Sequence, residues 1–458
     1  MATNKQFGST LPWAEPSWYS GRPSPYYNES HFRLRDAVRK WTEENVVGKS
    51  EEWQAAGKVP DEVYRKCARD GLLLPIAFGK SIPEEFAAQY PIIGGIKASE
   101  WNGFHDFVMW DELFRGGALS SIFVGLTVGA PPLKQFASSW LQKKILPEIL
   151  SGEKRICLAV TEPSCGSDVR NLTTTAEKSK CGKFYIVNGE KKITNFAFTG
   201  SQMACIPIIS WWVYLKKNIS KIYKKHFTAA VRTGGPGAEG VSFLLIPRSE
   251  GIRTRKIEIG ADGLSATTYV TFEDVRVPVE YLVGSEGQGF RYVMSNFNHE
   301  RLWIAFQTLR SSRICLQDAM AWAMKREAFG MKLIEQPVVR HKFGSMAKEV
   351  EALHAWTEQI IYELDHMSFK DGNRQLGGVT ALLKVKGGQM VKFVADNCVQ
   401  IMGGLGLTKT GQGSRIESIS RATHSWIVPG GSEDVLIDLG VREALKLAGI
   451  NATKGAKI

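Results

Sequence analysis

The sequence predicts an α+β fold in which helices and strands are segregated along the chain. Three observations predict it. Helical periodicity dominates from about Glu29 to Glu148. Short β-like runs fill about Ile156 to Val283. Long helical periodicity returns from about Gly289 to Leu447. This order argues against alternating βαβ units. The 458 residues suit roughly three domains or subdomains. The expected boundaries are an irregular arm over 1–28, a helical domain over 29–155, a β-domain over 156–285 and a helical domain over 286–458.

The arm is rich in Pro, Ser, Tyr and Gly and has no period. In the first helical block His31, Phe32, Leu34, Val38 and Trp41 recur at helical spacing, as do Val63, Cys67, Leu72 and Leu73. Gly71 and Gly79 punctuate helix ends. In the middle block Phe184 to Val187 reads as a strand, with Asn188-Gly189 as the turn after it. Phe227 to Val231, Val241 to Ile246 and Tyr269 to Phe272 read as further strands, and Gly234 to Gly237 as a loop. Helices are expected over about Phe290 to Ala323, Pro337 to Leu364 and Gly378 to Met402. The glycines at 403, 404 and 406 end the third. No strand precedes them, so they do not read as a dinucleotide-binding loop.

Composition narrows the class. The 43% hydrophobic and 10% aromatic content excludes a disordered or collagen-like chain. A net charge of +12 suits an anionic partner, such as a phosphorylated cofactor, a nucleic acid or a membrane surface, or else a solvated basic surface. Seven scattered Cys with no C-x-x-C pair argue against a zinc site and a secreted disulfide framework. Reduced, mostly buried thiols are expected. The eight His do not cluster at metal spacing, so no metal is expected. Met1 to Pro16 carries one Lys and reads as neither a secretory signal nor an Arg-rich transit peptide. The longest apolar run, Cys205 to Leu215, is broken by Pro207 and Ser210 and falls short of the ~20 residues of a membrane helix. Ala456-Lys457-Ile458 reads as a degenerate peroxisomal address. Peroxisome, mitochondrion and cytoplasm all stay open.

One motif points to chemistry. The apolar stretch Ile156 to Val160 runs into Thr161-Glu162-Pro163-Ser164-Cys165-Gly166-Ser167-Asp168. A strand entering a Gly-containing turn exposes backbone N–H groups and small hydroxyls, which suit a flavin edge or a phosphate. An ordinary surface turn has the same composition. The stretch LPEILSGEKRICLAVTEPSCGSDVRNLTTTA, from Leu146 to Ala176, resembles the acyl-CoA dehydrogenases. The resemblance continues in YIVNGEKKITN, GVSFLLIPRSEGI, VTFEDVRVPVEYLVGSEGQGF, NHERLWIA, KREAFG, EQPVVRHKFGSMA and VQIMGGLGL, and runs from about residue 30 to residue 447.

The resemblance implies an N-terminal helical domain, a middle β-domain and a C-terminal four-helix bundle. It implies FAD as cofactor, a homotetramer or homodimer, and a role in fatty acid metabolism. The implied chemistry removes an α-proton from an acyl-CoA thioester with a carboxylate while a β-hydride passes to flavin N5. Such a site must polarise the thioester carbonyl and hold the carboxylate in a dry pocket. The cofactor does the redox work, and the protein supplies position and electrostatics. In many relatives the base is a Glu near the C-terminus. Here Gly430 stands at that place, within Pro429-Gly430-Gly431-Ser432-Glu433. The chain is similar instead to the branch of isovaleryl- and long-chain enzymes, whose Glu precedes an Arg on the first C-terminal helix. That pair is Glu300-Arg301. Glu300 is therefore expected to be the base, with Arg301 shaping the substrate pocket. The alternative for Glu300 is a plain ion pair with an Arg, worth little at a surface. Glu433, three residues past Gly430, is the other nearby carboxylate. The Gly430 N–H is expected to polarise the thioester oxygen.

The same resemblance places Leu158, Val160 and Thr161 beside the flavin ring. Ser167 falls near the flavin phosphate and the CoA arm. Thr194 and Ser432 are also assigned to the flavin. Arg326, Phe329 and Gln336 match a set that reaches the FAD of a neighbouring subunit, where an Arg suits a diphosphate. Gln400, Gly403 and Gly404 match a turn on the adenosine side.

Two departures fall together. Lys191-Lys192-Ile193-Thr194 lacks the Trp usual between Lys and Ile. Then about 201–225 is an atypical insertion without acidic side chains, carrying Lys216, Lys217, Lys221, Lys224 and Lys225. Its Lys, Asn, Ile, Tyr and Ser content reads as a retained intron, and a basic flap is the alternative. Three functions compete. The first is an FAD-dependent acyl-CoA dehydrogenase passing electrons to an electron-transfer flavoprotein. The second is a flavin oxidase using oxygen on the same fold. The third is a non-catalytic FAD- or acyl-CoA-binding relic. Nucleic-acid binding would show steep salt dependence and is not expected, since CoA and FAD are themselves anions.

Overall fold

Asparagine begins two of the N-terminal helices, and the two starts lock together. In the computed structural model of the chain the first block runs α1 (Glu29–Asn45), α2 (Ser50–Ala56), α3 (Asp61–Arg69), α4 (Leu73–Phe78), α5 (Glu84–Ala87), α6 (Gly103–Phe114), α7 (Ser120–Gly129), α8 (Pro131–Phe136) and α9 (Ser139–Leu150). Asn28 and Asn102 cap α1 and α6, each in a reciprocal box with the His three residues on. The His31 and His105 rings stack 3.8 Å apart. His31 Nε2 lies 3.1 Å from Asn102 Oδ1, so each cap supports the other helix. The structure describes residues 6–117, 120–195, 225–260, 264 and 267–450, apart from the side chains of Ser120, Ser121 and Ile193–Asn195. The insertion over about 201–224 and the Ala456-Lys457-Ile458 tail lie outside these residues.

The arm has one helical turn, Ser17–Ser20, and is otherwise irregular. It is not loose. Trp18 and Tyr19 are buried. Buried Glu15 pairs with Arg39 at 3.1 Å, Arg115 at 3.1 Å and Arg310 at 2.9 Å. The three guanidinium groups overcome the burial that would otherwise raise the Glu15 carboxyl, and hold it at about 2.

The middle block is one mixed sheet of seven strands: β1 (Arg155–Ala159), β2 (Thr175–Lys178), β3 (Phe184–Asn195), β4 (Lys225–Arg232), β5 (Val241–Pro247), β6 (Ile252–Lys256) and β7 (Thr267–Pro278). The order is β1-β4-β2-β3-β7-β6, with β5 on β4. β1 and β4 run parallel, and β3 and β7 antiparallel. The expected turn at Asn188-Gly189 instead lies inside β3, opposite a bulge in β7. Asn188 Nδ2 donates to Asp274 Oδ1 at 3.0 Å, and the Asp274 N–H donates to Asn188 Oδ1 at 2.7 Å. Asp274, at φ +50°, is the partner strand's extra residue.

The last block holds α10 (Gly289–Ala323), a hairpin of β8 (Glu327–Ala328) and β9 (Met331–Lys332), α11 (Pro337–Asp365), α12 (Phe369–Met402), α13 (Ser414–Ala422), α14 (His424–Ile427) and α15 (Glu433–Leu447). α12 packs against α10, α11 and α15, which makes a bundle of four long helices. α12 begins nine residues earlier than Gly378, because the Ser368 hydroxyl caps the Asp371 N–H at 3.1 Å. Gly378 lies inside the helix, where a Cβ would come within 2.9 Å of Glu443 Cβ on α15. The glycine there marks close helix packing and not a start. Among the described residues no helix is long and apolar enough to cross a membrane. Nor do three or more His, Cys, Asp or Glu side chains gather as a metal site there.

Candidate active site

A cavity of about 2570 Å³ opens between the sheet and the C-terminal helices. Pockets for one small ligand are commonly about 300–1,000 Å³, so this one has room for a large cofactor and a substrate together.

The sheet side is built from the end of β1. Leu158, Val160 and Thr161 line the cavity, and Ser167 stands at its exposed rim. A buried ion pair fixes this turn. Lys191 Nζ donates to Glu162 Oε1 at 2.7 Å and to the Val160 carbonyl at 3.1 Å. Glu162 also accepts from the Thr173 N–H, the Thr173 hydroxyl and the Thr174 N–H, at 2.6, 2.7 and 3.0 Å. Burial alone would raise the Glu162 carboxyl, but Lys191 and these donors hold it at about 2. The pair anchors the two residues that flank Thr161. Thr194 lies near the end of β3, with its backbone opposite Thr268.

The helical side is built from α10 and the loop before α15. Arg301 Nε donates to the Gly430 carbonyl at 2.9 Å, and Nη1 to Asn298 Oδ1 at 2.9 Å. Lys384 Nζ donates to the carbonyls of Ile427 and of Gly431, the latter at 2.8 Å. Two cations thus tie down the loop that carries Gly430. Gly430 sits at φ +72°, in the left-handed region that favours glycine. Its carbonyl is taken by Arg301, while its N–H donates to no described group. A Cβ built at Gly430 would lie 4.0 Å from Glu300 Oε1. A side chain at 430 and the side chain of Glu300 therefore enter the same space. Glu300 is half-buried and lines the cavity. Burial raises its carboxyl to about 7 against the opposing pull of Arg301 and Lys384. Glu433, by contrast, accepts from Gln389 Nε2 and does not line the cavity. Ser432 does.

The remaining predicted residues are elsewhere. Arg326 and Phe329 are exposed on the β8–β9 hairpin, and Phe329 is 95% exposed at φ +55°. Gln336 precedes α11. Gln400, Gly403 and Gly404 are exposed where α12 ends. None of these six lines the cavity. Sequence reasoning missed Lys384 and Lys191, although each is a lysine with a buried side chain in an otherwise regular element. It also missed Gln307, Ser311, His424 and Trp426, all of which line the cavity.

The family models for the N-terminal and C-terminal domains of acyl-CoA dehydrogenases match residues 28–153 and 287–445. An acyl-CoA dehydrogenase of Emericella nidulans is 41% identical over 446 residues, covering 96% of each chain. One from Alternaria alternata is 35% identical over 447 residues, covering 96% of this chain and 97% of its own. The mitochondrial long-chain specific acyl-CoA dehydrogenase of Mus musculus is 25% identical and aligns over 83% of this chain and 79% of its own. A putative acyl-CoA dehydrogenase structure from Mycobacterium smegmatis superposes with a TM-score of 0.77 at 26% identity, over 94% of this chain and all of that one. The segregated fold, the cavity between sheet and bundle and these matches agree on a family of oxidoreductases. The chain belongs to the acyl-CoA dehydrogenase family.

Proposed function

We propose that the chain dehydrogenates an acyl-CoA thioester between its α and β carbons, with Glu300 as the base and FAD as cofactor. The observation that carries this reading is the convergence of Glu300 Oε1 with the space above Gly430. A carboxylate can enter that space from α10 or from the loop, and this chain supplies it from α10. Glu300 then takes the α-proton. With its carboxyl near 7, it is basic enough to accept that proton and still ionised in useful proportion at neutral pH. The unpartnered Gly430 N–H donates to the thioester carbonyl and lowers the cost of charge developing there. Arg301 holds the Gly430 carbonyl and so aims that N–H.

The cavity fits the cofactor. Leu158 and Val160 offer an apolar wall for a ring system, and Thr161 offers a hydroxyl beside it. The bound flavin would supply the hydride acceptor. Arg326, Phe329, Gln336, Gln400, Gly403 and Gly404 belong to a second part of the same cofactor site, completed between copies of the chain in a homo-oligomer. The exposure of Arg326, Phe329, Gln400, Gly403 and Gly404 on one chain supports that reading. An electron-transfer flavoprotein is the proposed acceptor.

The test is a visible spectrum of the purified protein, titrated with acyl-CoA thioesters without oxygen. A bound flavin band that bleaches with a thioester is expected. Glu300→Gln should keep the flavin and lose the bleaching. Bleaching that persists in this variant would sink the base assignment, and a colourless protein that takes up no FAD would sink the cofactor assignment.

A further inference from the structure

Beyond Glu300 the cavity continues along α10, and its character changes. Toward the start of α10 it is lined by the exposed cations Arg291, Lys370 and Arg374, which suit a polyanionic CoA arm. In the other direction it runs between α10 and the end of α6. There Phe114, Ile304 and Ile314 are apolar, and Trp303 meets Phe114 edge-on at 5.4 Å, its buried indole N–H without a partner among the described residues. On the acyl-thioester reading, an acyl chain leaving the base would run this way.

Two polar side chains interrupt that wall. Gln307 and Ser311 are 4% and 5% exposed and both line the cavity. They lie one helical turn apart, about 10 and 16 Å along the helix from Glu300. Neither side chain has a hydrogen-bond partner among the described residues, and neither is sealed from the cavity. Arg115, which lines the same end, already donates to Glu15 at 3.1 and 3.3 Å. Gln307 and Ser311 are thus buried donors and acceptors aimed into an apolar channel. A plain methylene chain would strip them of water and return nothing. Two such groups would be an unfavourable lining for an unsubstituted fatty acyl chain.

We propose that the acyl group this site prefers carries a hydroxyl or carbonyl oxygen at the depth of Gln307 and Ser311. The proposal rests on the acyl-thioester reading of the cavity. It assigns both side chains to substrate selection, through a hydrogen bond that an unsubstituted chain cannot return. A site built to pair with a substrate oxygen discriminates strongly against the analogue without it.

The test uses the FAD-loaded enzyme and a series of hexadecanoyl-CoA derivatives, each with one hydroxyl moved along the outer half of the chain. Equilibrium binding is measured with the matching thioethers, which have no carbonyl and cannot be dehydrogenated. Turnover is measured with the thioesters. At least one hydroxyl position should bind about tenfold tighter than the plain chain. Gln307→Leu, combined with Ser311→Ala, should erase that preference and improve binding of the plain chain. The inference is overturned if no position improves on the plain chain, or if the preference survives in the double variant. If no thioether binds and no thioester bleaches the flavin, the acyl-thioester reading falls, and this inference falls with it. Equal binding of all members alongside normal bleaching overturns this inference alone.

Discussion

Two parts of the proposed cofactor site are built in opposite ways. The part around Thr161 and Glu300 is inside the chain. It is closed by the Glu162–Lys191 ion pair, whose side chains are fully buried, and by the buried cations Arg301 and Lys384. The part around Arg326 and Gln400 lies on exposed elements, with Phe329 almost wholly in solvent. The difference is one of where order comes from. The inner part is preorganised by charges that folding has already desolvated. The outer part has no such partners among the described residues, and on the reading proposed above a second copy of the chain would supply its order. A large exposed aromatic on a tight hairpin is the kind of group that a second copy would cover.

The largest effect that would break the comparison is expected on the inner side. Lys191→Met leaves Glu162 buried without its cation, and removing one partner of a buried pair typically costs about 3–5 kcal/mol. Thermal unfolding should move well down, and the loss should be the same at every protein concentration. If the variant unfolds like the parent, the ion pair does not organise the turn. A smaller and different effect is expected on the outer side. Arg326→Ala should weaken FAD retention by about tenfold to a hundredfold, the range for a lost charge-assisted hydrogen bond. FAD binding by the parent should rise with protein concentration, because the outer part needs a neighbour. Retention that is independent of both Arg326 and concentration would show that one chain holds the cofactor alone.

Much of this was legible in the sequence, for physical reasons. The switch from a helical period to short strands and back marks the three blocks, because side-chain burial follows backbone geometry. Glu300-Arg301 was legible through the resemblance, together with the glycine at 430. Other features were not. Asn188-Gly189 serves equally in a turn or in a strand opposite a bulge, and the choice is made by Asp274, 86 residues away. Gln307 lies on an α10 face that reads as core, since periodicity shows which side is covered but not whether protein or a cavity covers it. Lys384 reads as an interruption in an apolar run, yet its ammonium reaches two carbonyls of a distant loop. The masking of cavity-lining side chains as core is expected wherever a cavity is built on buried helix faces.

The smallest expected effect sharpens the comparison at Glu300 itself. Its carboxyl ordinarily titrates near 4.5 and is raised by burial to about 7. Between these values the folded state binds more protons than the unfolded state, so stability falls as pH rises and the penalty is complete above pH 7. Glu300→Gln removes the charge and keeps the shape. The variant should match the parent near pH 4.5 and exceed it at pH 8, by about 1–2 kcal/mol once solvent in the cavity is allowed for. Thermal unfolding at the two pH values measures this without any cofactor or substrate. A base held against its own desolvation should leave this signature, because the free energy that activates it is stored as a cost to the fold. An Arg301–Glu300 ion pair of purely structural purpose predicts the reverse sign, with Gln destabilising most where the carboxylate is charged. The sign of one difference in melting temperature therefore separates a poised base from a structural ion pair.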